Sequence, residues 1–255
     1  MVRHFALFII FLAASLSAAD SPSLDGVNFP LPRQSAYTGK GMSVGLAAGV
    51  FEPTRECDCL GVWQGQGEFF YYPWLSSGMD VRFFGGDLDS DVMVMYQRYR
   101  VNIKLFLVGD IFAMYLSPVL GLENTSLSEF RKELRGLLAD DRPYDDSDDF
   151  DEERNPCERM FSLGGFTLGM DMGIGMALGK YFGLTGSLLY EYSFAEAQQL
   201  TITPGLAFDL RRVWGFASRK LRSSWISAEV GFQRYFNRGV TSWSKSFILG
   251  LQLGL

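Results

Sequence analysis

From Phe166 to Gly179 the chain reads FTLGMDMGIGMALG, and every second residue (Phe166, Leu168, Met170, Met172, Ile174, Met176, Leu178) is large and apolar. Between them lie Thr167, Gly169, Asp171, Gly173, Gly175, Ala177 and Gly179. Period-two alternation of this kind marks a β-strand with one apolar face. After a turn at 179–181 the pattern resumes, with Phe182, Leu184, Leu188, Tyr190, Tyr192 and Phe194 on one face and Gly183, Thr185, Ser187, Glu191 and Ser193 on the other. A three-residue turn sets Leu178 opposite Phe182 and keeps the apolar faces in register. The alternation recurs through Ile202, Leu206, Phe208 and Leu210, through Ile226, Val230 and Phe232, and through Phe247, Leu249, Leu251, Leu253 and Leu255. Met42, Val44, Leu46, Ala48 and Val50 form the first such run.

Alternation gives a sheet with two unlike faces and leaves open which of them points inward. A soluble sandwich or lipocalin-like barrel, binding an apolar ligand, turns its apolar face to a core and shows Lys, Glu and Thr to water. Here the polar face is small and glycine-rich, which weakens an exposed strand and gains nothing there. Its isolated charges, Asp171, Glu191, Asp209, Arg211 and Glu229, suit a crowded lumen in which opposite signs pair. The runs also exceed the usual soluble strand of about 5 or 6 residues, and about 9 to 11 tilted residues cross a bilayer. Aromatics gather near the strand ends, at Tyr181, Phe182, Tyr192, Phe194, Trp225, Tyr235, Phe236 and Trp243, as an interfacial girdle requires. The pattern therefore predicts an all-β, closed, antiparallel up-and-down transmembrane β-barrel with its apolar face toward lipid.

Strands are expected near 42–50, 91–106, 111–122, 163–178, 181–194, 199–212, 223–236 and 243–255. Residues 62–86 form either one strand or a hairpin turning at 75–78. Single-chain barrels have even strand numbers, which selects the hairpin and ten strands, with eight as the alternative. Pro73, Pro118 and Pro204 remove ladder donors and are expected at bulges or strand ends.

At the amino end, Arg3, the apolar run from Phe5 to about Ala14, and small residues at Ser17 and Ala19 read as a signal peptide over 1–19. Residues 20–39 are expected as a periplasmic segment, and 40–255 as the barrel. Removal of the signal takes away His4, the single histidine of the 255 residues. Ser-His-Asp and Cys-His nucleophile systems and most catalytic zinc sites need an imidazole, so no catalytic residue, metal site or cofactor is assigned. The full chain's 23 basic residues against 29 acidic ones, less Arg3, leave a net charge of about −7, which argues against nucleic acid as a partner.

With its signal peptide, alternating strands, short turns alternating with longer loops, and terminal strand SFILGLQLGL, the chain resembles the outer-membrane β-barrel proteins of diderm bacteria over residues 40 to 255. Members commonly end in an aromatic residue read by the assembly machinery, where this chain has Leu255. The resemblance implies an outer-membrane location, with outer-membrane lipids and the barrel assembly machinery as partners. It also puts the carboxyl end and the turns 107–110 and 179–181 on the periplasmic side and the segment 123–162 outside.

In that topology Cys57, Cys59 and Cys157 all face the exterior, and an exported chain can hold a disulfide; a bridge from Cys157 to Cys57 or Cys59 is expected. Within 123–162, Ser126 with Glu129 forms a capping box ahead of Leu127, Phe130, Leu134 and Leu137, predicting a helix of about three turns. The following stretch, ADDRPYDDSDDFDEERNPCER, sets ten acids against three arginines. It lacks the spacing and glycine of a calcium loop, so a weakly held divalent cation is the most it offers. The expected function is a non-enzymatic structural or surface-interaction role through the extracellular loops. The alternative is a narrow small-solute channel.

Overall fold

The computed structural model describes residues 29–33, 35–53, 59–89, 92–128, 165–178, 181–194, 197–210, 223–236 and 243–255. A short hairpin comes first, β1 (Phe29–Leu31) and β2 (Ser35–Tyr37). Ten long strands follow: β3 (Gly41–Glu52), β4 (Leu60–Tyr72), β5 (Leu75–Asp89), β6 (Val92–Val108), β7 (Phe112–Ser128), β8 (Gly165–Leu178), β9 (Phe182–Ser193), β10 (Ala197–Asp209), β11 (Ser223–Phe236) and β12 (Trp243–Gly254). Each pairs antiparallel with its sequence neighbour, and β12 pairs with β3 to close the barrel. Closure leaves no unpaired edge, which is what a sheet needs in hydrocarbon.

The faces divide as the alternation requires. Leu46, Trp63, Phe166, Leu168, Met172, Leu184, Leu206 and Leu249 are exposed on the outer wall, while Asp171 and Glu191 are only 3% and 2% exposed, inside. A water-soluble barrel has the opposite polarity. An outer wall of Leu, Met, Phe, Ile and Val around a charged interior is stable only where hydrocarbon replaces water. Exposed aromatics collect near both rims, Tyr71, Tyr72, Trp74 and Tyr181 at one and Tyr192, Phe194 and Trp243 at the other. Trp225 and Tyr235, expected in this girdle, are instead buried in the lumen. They share the inward phase of β11 with Ser227 and Gln233, opposite to Ile226 and Phe232.

The turn expected at 75–78 lies earlier, at Pro73 and Trp74; Leu75–Gly78 already belongs to β5. Pro73 thus sits at a strand end, as expected, but Pro118 and Pro204 do not. Both are in mid-strand, at Pro118↔Met170 and Pro204↔Gly186. The cost falls on the opposite ladder: β6 and β7 lack pairs between Asn102↔Val119 and Leu105↔Leu116, and β10 and β11 between Ile202↔Phe232 and Gly205↔Glu229. Register resumes unchanged on either side, so each proline is absorbed as a gap in the hydrogen bonding rather than a bulge.

Ser126 and Leu127, expected to open a helix, are the end of β7, paired with Met95 and Val94. The rest of that helix and the acidic stretch lie outside the described residues. The turns at 73–74, 109–111 and 179–181 share one rim with the carboxyl end and with the connection 210–222, and 129–164 joins strands at the other; the short-inside, long-outside rule makes the first the expected periplasmic rim.

Candidate functional site: a plugged, charge-lined lumen

Of the segment 20–39, expected to be periplasmic, the described residues 29–33 and 35–37 lie inside the barrel. The hairpin β1–β2 enters from the periplasmic rim and makes no ladder with the wall. A two-stranded ribbon alone is marginal in water and has two unpaired edges. Here inward side chains of the barrel complete those edges. The amide N–H of Ala36 donates to Ser43 Oγ at 2.9 Å and that of Arg33 to Glu229 Oε1 at 2.8 Å. Gln252 Nε2 donates to the Leu31 carbonyl at 3.1 Å, and Gln64 Nε2 to the Arg33 carbonyl at 3.2 Å. Tyr37 donates its hydroxyl proton to the Pro73 carbonyl at 3.0 Å. The polar inner wall is therefore a socket as well as a lining.

Apolar packing holds the same element. Phe29, Leu31, Tyr37, Phe70, Phe106, Ala113 and Tyr115 form one buried cluster inside the periplasmic half of the barrel. Tyr37 packs on Phe29, Phe70 and Phe106 with ring centroids 6.0, 5.5 and 5.3 Å apart, within the range of favourable aromatic pairs. The bare face of β8 and its neighbour is explained by this insertion. A β-carbon at Gly173 would stand 2.3 Å from the Tyr115 ring, one at Gly175 1.8 Å from the Pro30 carbonyl oxygen, and one at Gly183 2.5 Å from the Pro30 ring. These glycines leave the room that Tyr115 and the hairpin occupy.

Beside and above the hairpin tip the lumen is crossed by ion pairs. Arg33, in the left-handed region at φ 60, reaches Asp171 at 3.1 Å, and Tyr115 donates to the other Asp171 oxygen at 2.9 Å. Lys104 meets Glu68 at 2.6 Å, and Ser35 and Ser76 donate to the same carboxylate. Arg100 from β6 grips Glu191 of β9 through two nitrogens, Nε at 2.8 Å, with Asp80 at 3.8 Å. Arg98 bonds Glu123, lies 3.6 Å from Glu191 and donates to Gln199 at 2.6 Å. Arg82 donates to Gln64 at 2.7 Å. All these charged side chains are buried. Buried charges are costly unless paired and hydrogen-bonded, and each of these except Arg82 meets an oppositely charged side chain among the described residues.

Of the residues expected to line the lumen, Asp171, Glu191, Asp209 and Glu229 are all buried there. Arg211 lies outside the described residues. Among the described residues the cations inside the barrel include Arg33, which meets Asp171, Arg98 and Arg100, which meet Glu191, and Lys104, which meets Glu68. Three of these were legible in the phase of β6, where Tyr99, Val101 and Ile103 point outward and place Arg98, Arg100 and Lys104 inward. Arg33 carried no such signal. Cys59 is exposed just before β4; Cys57 and Cys157 lie outside the described residues. The described residues contain no group of three or more His, Cys, Asp or Glu able to hold a metal.

A closed antiparallel barrel with an apolar wall and a polar, filled lumen defines the class: an outer-membrane β-barrel. No family model and no curated protein matches the sequence. Solved structures similar in fold include Neisserial surface protein A (11% identity, 85% of this chain and 98% of that chain, TM-score 0.40). Others are the beta domain of the Bordetella autotransporter BrkA (9%, 84% and 99%, TM-score 0.45) and the outer membrane protein OprG from Pseudomonas aeruginosa (9%, 85% and 94%, TM-score 0.36). At these scores the likeness carries nothing about activity, and the class stands on the geometry of the chain itself.

Proposed function

We propose that the protein is a non-enzymatic outer-membrane barrel that serves as a closed scaffold and acts through its extracellular loops, chiefly the acidic segment within 129–164. The observation that carries this reading is the occupied lumen. A hairpin fills the periplasmic half, and Arg98, Arg100, Glu123 and Glu191 tie the wall together above it. A barrel of about eight strands is just filled by its own side chains, and this one uses an inserted hairpin to fill the extra width of ten. The absence of histidine outside the signal segment and the commitment of Glu68, Asp171, Glu191 and Glu229 to internal partners support a non-catalytic role. The surplus of acids outside favours cationic partners.

Planar-bilayer recording of the folded protein tests the scaffold part: silence is expected, and stepwise currents would select the narrow channel instead. Replacing 129–164 by a short Gly/Ser linker tests the loop part. Proteoliposomes carrying the linker variant should lose binding of a lysine-rich peptide that the intact protein retains at low salt; equal binding would sink the loop assignment.

A further inference from the structure

Among the strand residues whose side chains are described, the outward-facing wall carries three charges, Glu52, Arg234 and Lys245, and all three stand at the extracellular rim of the adjacent strands β3, β11 and β12. Snorkelling by itself would scatter Lys and Arg around a rim. Here the two cations are diagonal neighbours: Arg234 pairs with Trp243 and Lys245 with Phe232. The Arg234 guanidinium lies 5.4 Å from the Phe236 ring centroid and 5.8 Å from that of Trp243, and its Nε has no hydrogen-bond acceptor among the described residues. Lys245 has a distant carboxylate contact, Glu52 at 3.9 Å, and both side chains are well exposed. The patch therefore bears two positive charges against one negative, on an aromatic ledge at headgroup height.

We propose that Arg234 and Lys245, seated on Trp243 and Phe236, bind the phosphate of an anionic lipid in the leaflet that meets this rim. With its Nε buried between the Phe236 and Trp243 rings, the Arg234 guanidinium is restricted in orientation, and its terminal N–H groups are donors of the kind that engage phosphate through charge-assisted hydrogen bonds. The ammonium of Lys245, one strand over, supplies a second point charge. The exposed side chains below, Phe232, Phe247 and Leu249, continue the patch as an apolar surface on which the acyl chains of the same lipid lie. Charge above and hydrocarbon below fit a phospholipid or phosphorylated glycolipid better than a soluble anion.

The test is lipid retention by the folded, heat-modifiable protein, read by native mass spectrometry from detergent. The titrants are lipopolysaccharide, phosphatidylglycerol, phosphatidylcholine and inorganic phosphate, each added separately. Wild type should retain lipopolysaccharide or phosphatidylglycerol at least ten-fold more tightly than phosphatidylcholine. The double variant Arg234→Gln with Lys245→Gln should lose that preference, and Arg234→Lys, which keeps the charge but not the fork, should fall between. Equal retention of all lipids by wild type, unchanged retention by the double variant, or tight binding of inorganic phosphate in place of lipid would each overturn the site.

Discussion

Glu191→Gln is the sharpest single perturbation of the lumen, because the substitution keeps the shape and removes the charge. Glu191 is 2% exposed and receives Arg100 through two nitrogens, with Arg98 at 3.6 Å. Arg98 keeps Glu123 and Gln199, but Arg100 is left with Asp80 at 3.8 Å. Breaking a buried pair from one side costs about 3–5 kcal/mol, mostly from the stranded partner. The remaining Asp80 contact places this case near the lower end, about 3 kcal/mol. With a urea slope of about 1–3 kcal/mol/M, the midpoint of reversible unfolding from micelles falls by about 1 M or more. Tryptophan fluorescence follows the transition. Removing both charges together, Glu191→Leu with Arg100→Leu, should recover part of the loss, because Arg100 is no longer stranded while Asp80 loses only a 3.8 Å contact. A Glu191→Gln protein within about 0.5 kcal/mol of wild type, or a double variant worse than the single, would refute the paired-lumen argument.

Other consequences are equally direct. Gly175→Val places side-chain atoms where the Pro30 carbonyl oxygen stands; the hairpin should be expelled and residues 29–37 become sensitive to added protease, while the wild-type hairpin stays protected. Deleting 29–37 should leave a heat-modifiable barrel that passes ions in a planar bilayer where wild type is silent. Gln252→Leu strands the Leu31 carbonyl and should cost about 1–3 kcal/mol, whereas Glu52→Gln at the exposed rim should cost under about 1 kcal/mol.

The wall of this barrel was legible because one physical rule, period-two alternation, governs every strand from 41 to 254. The same rule held the inward charges: once Met79, Val81 and Phe83 are read as facing lipid, Asp80 and Arg82 must face the lumen. Treating aromatics near strand ends as girdle, without asking for phase, misplaced Trp225 and Tyr235. The plug was illegible for a different reason. Three-residue strands such as Phe29–Leu31 and Ser35–Tyr37 are too short to show a period, and their edges are completed by side chains distant in sequence, such as Glu229 and Gln252. What the sequence held was the imprint, the glycines at 173, 175 and 183. The capping box at Ser126 was overridden because continuing the ladder to β6 pairs backbone groups all the way to Ser128.

Lipid touches one face of these strands and packed protein the other. Single cysteines placed along β8 from 166 to 174, in a background with Cys57, Cys59 and Cys157 replaced by Ser, can carry spin labels in reconstituted vesicles. Collision with lipid-dissolved oxygen should be high at 166, 168, 170, 172 and 174 and low at 167 and 171. The reverse phase, or no alternation, would contradict the account.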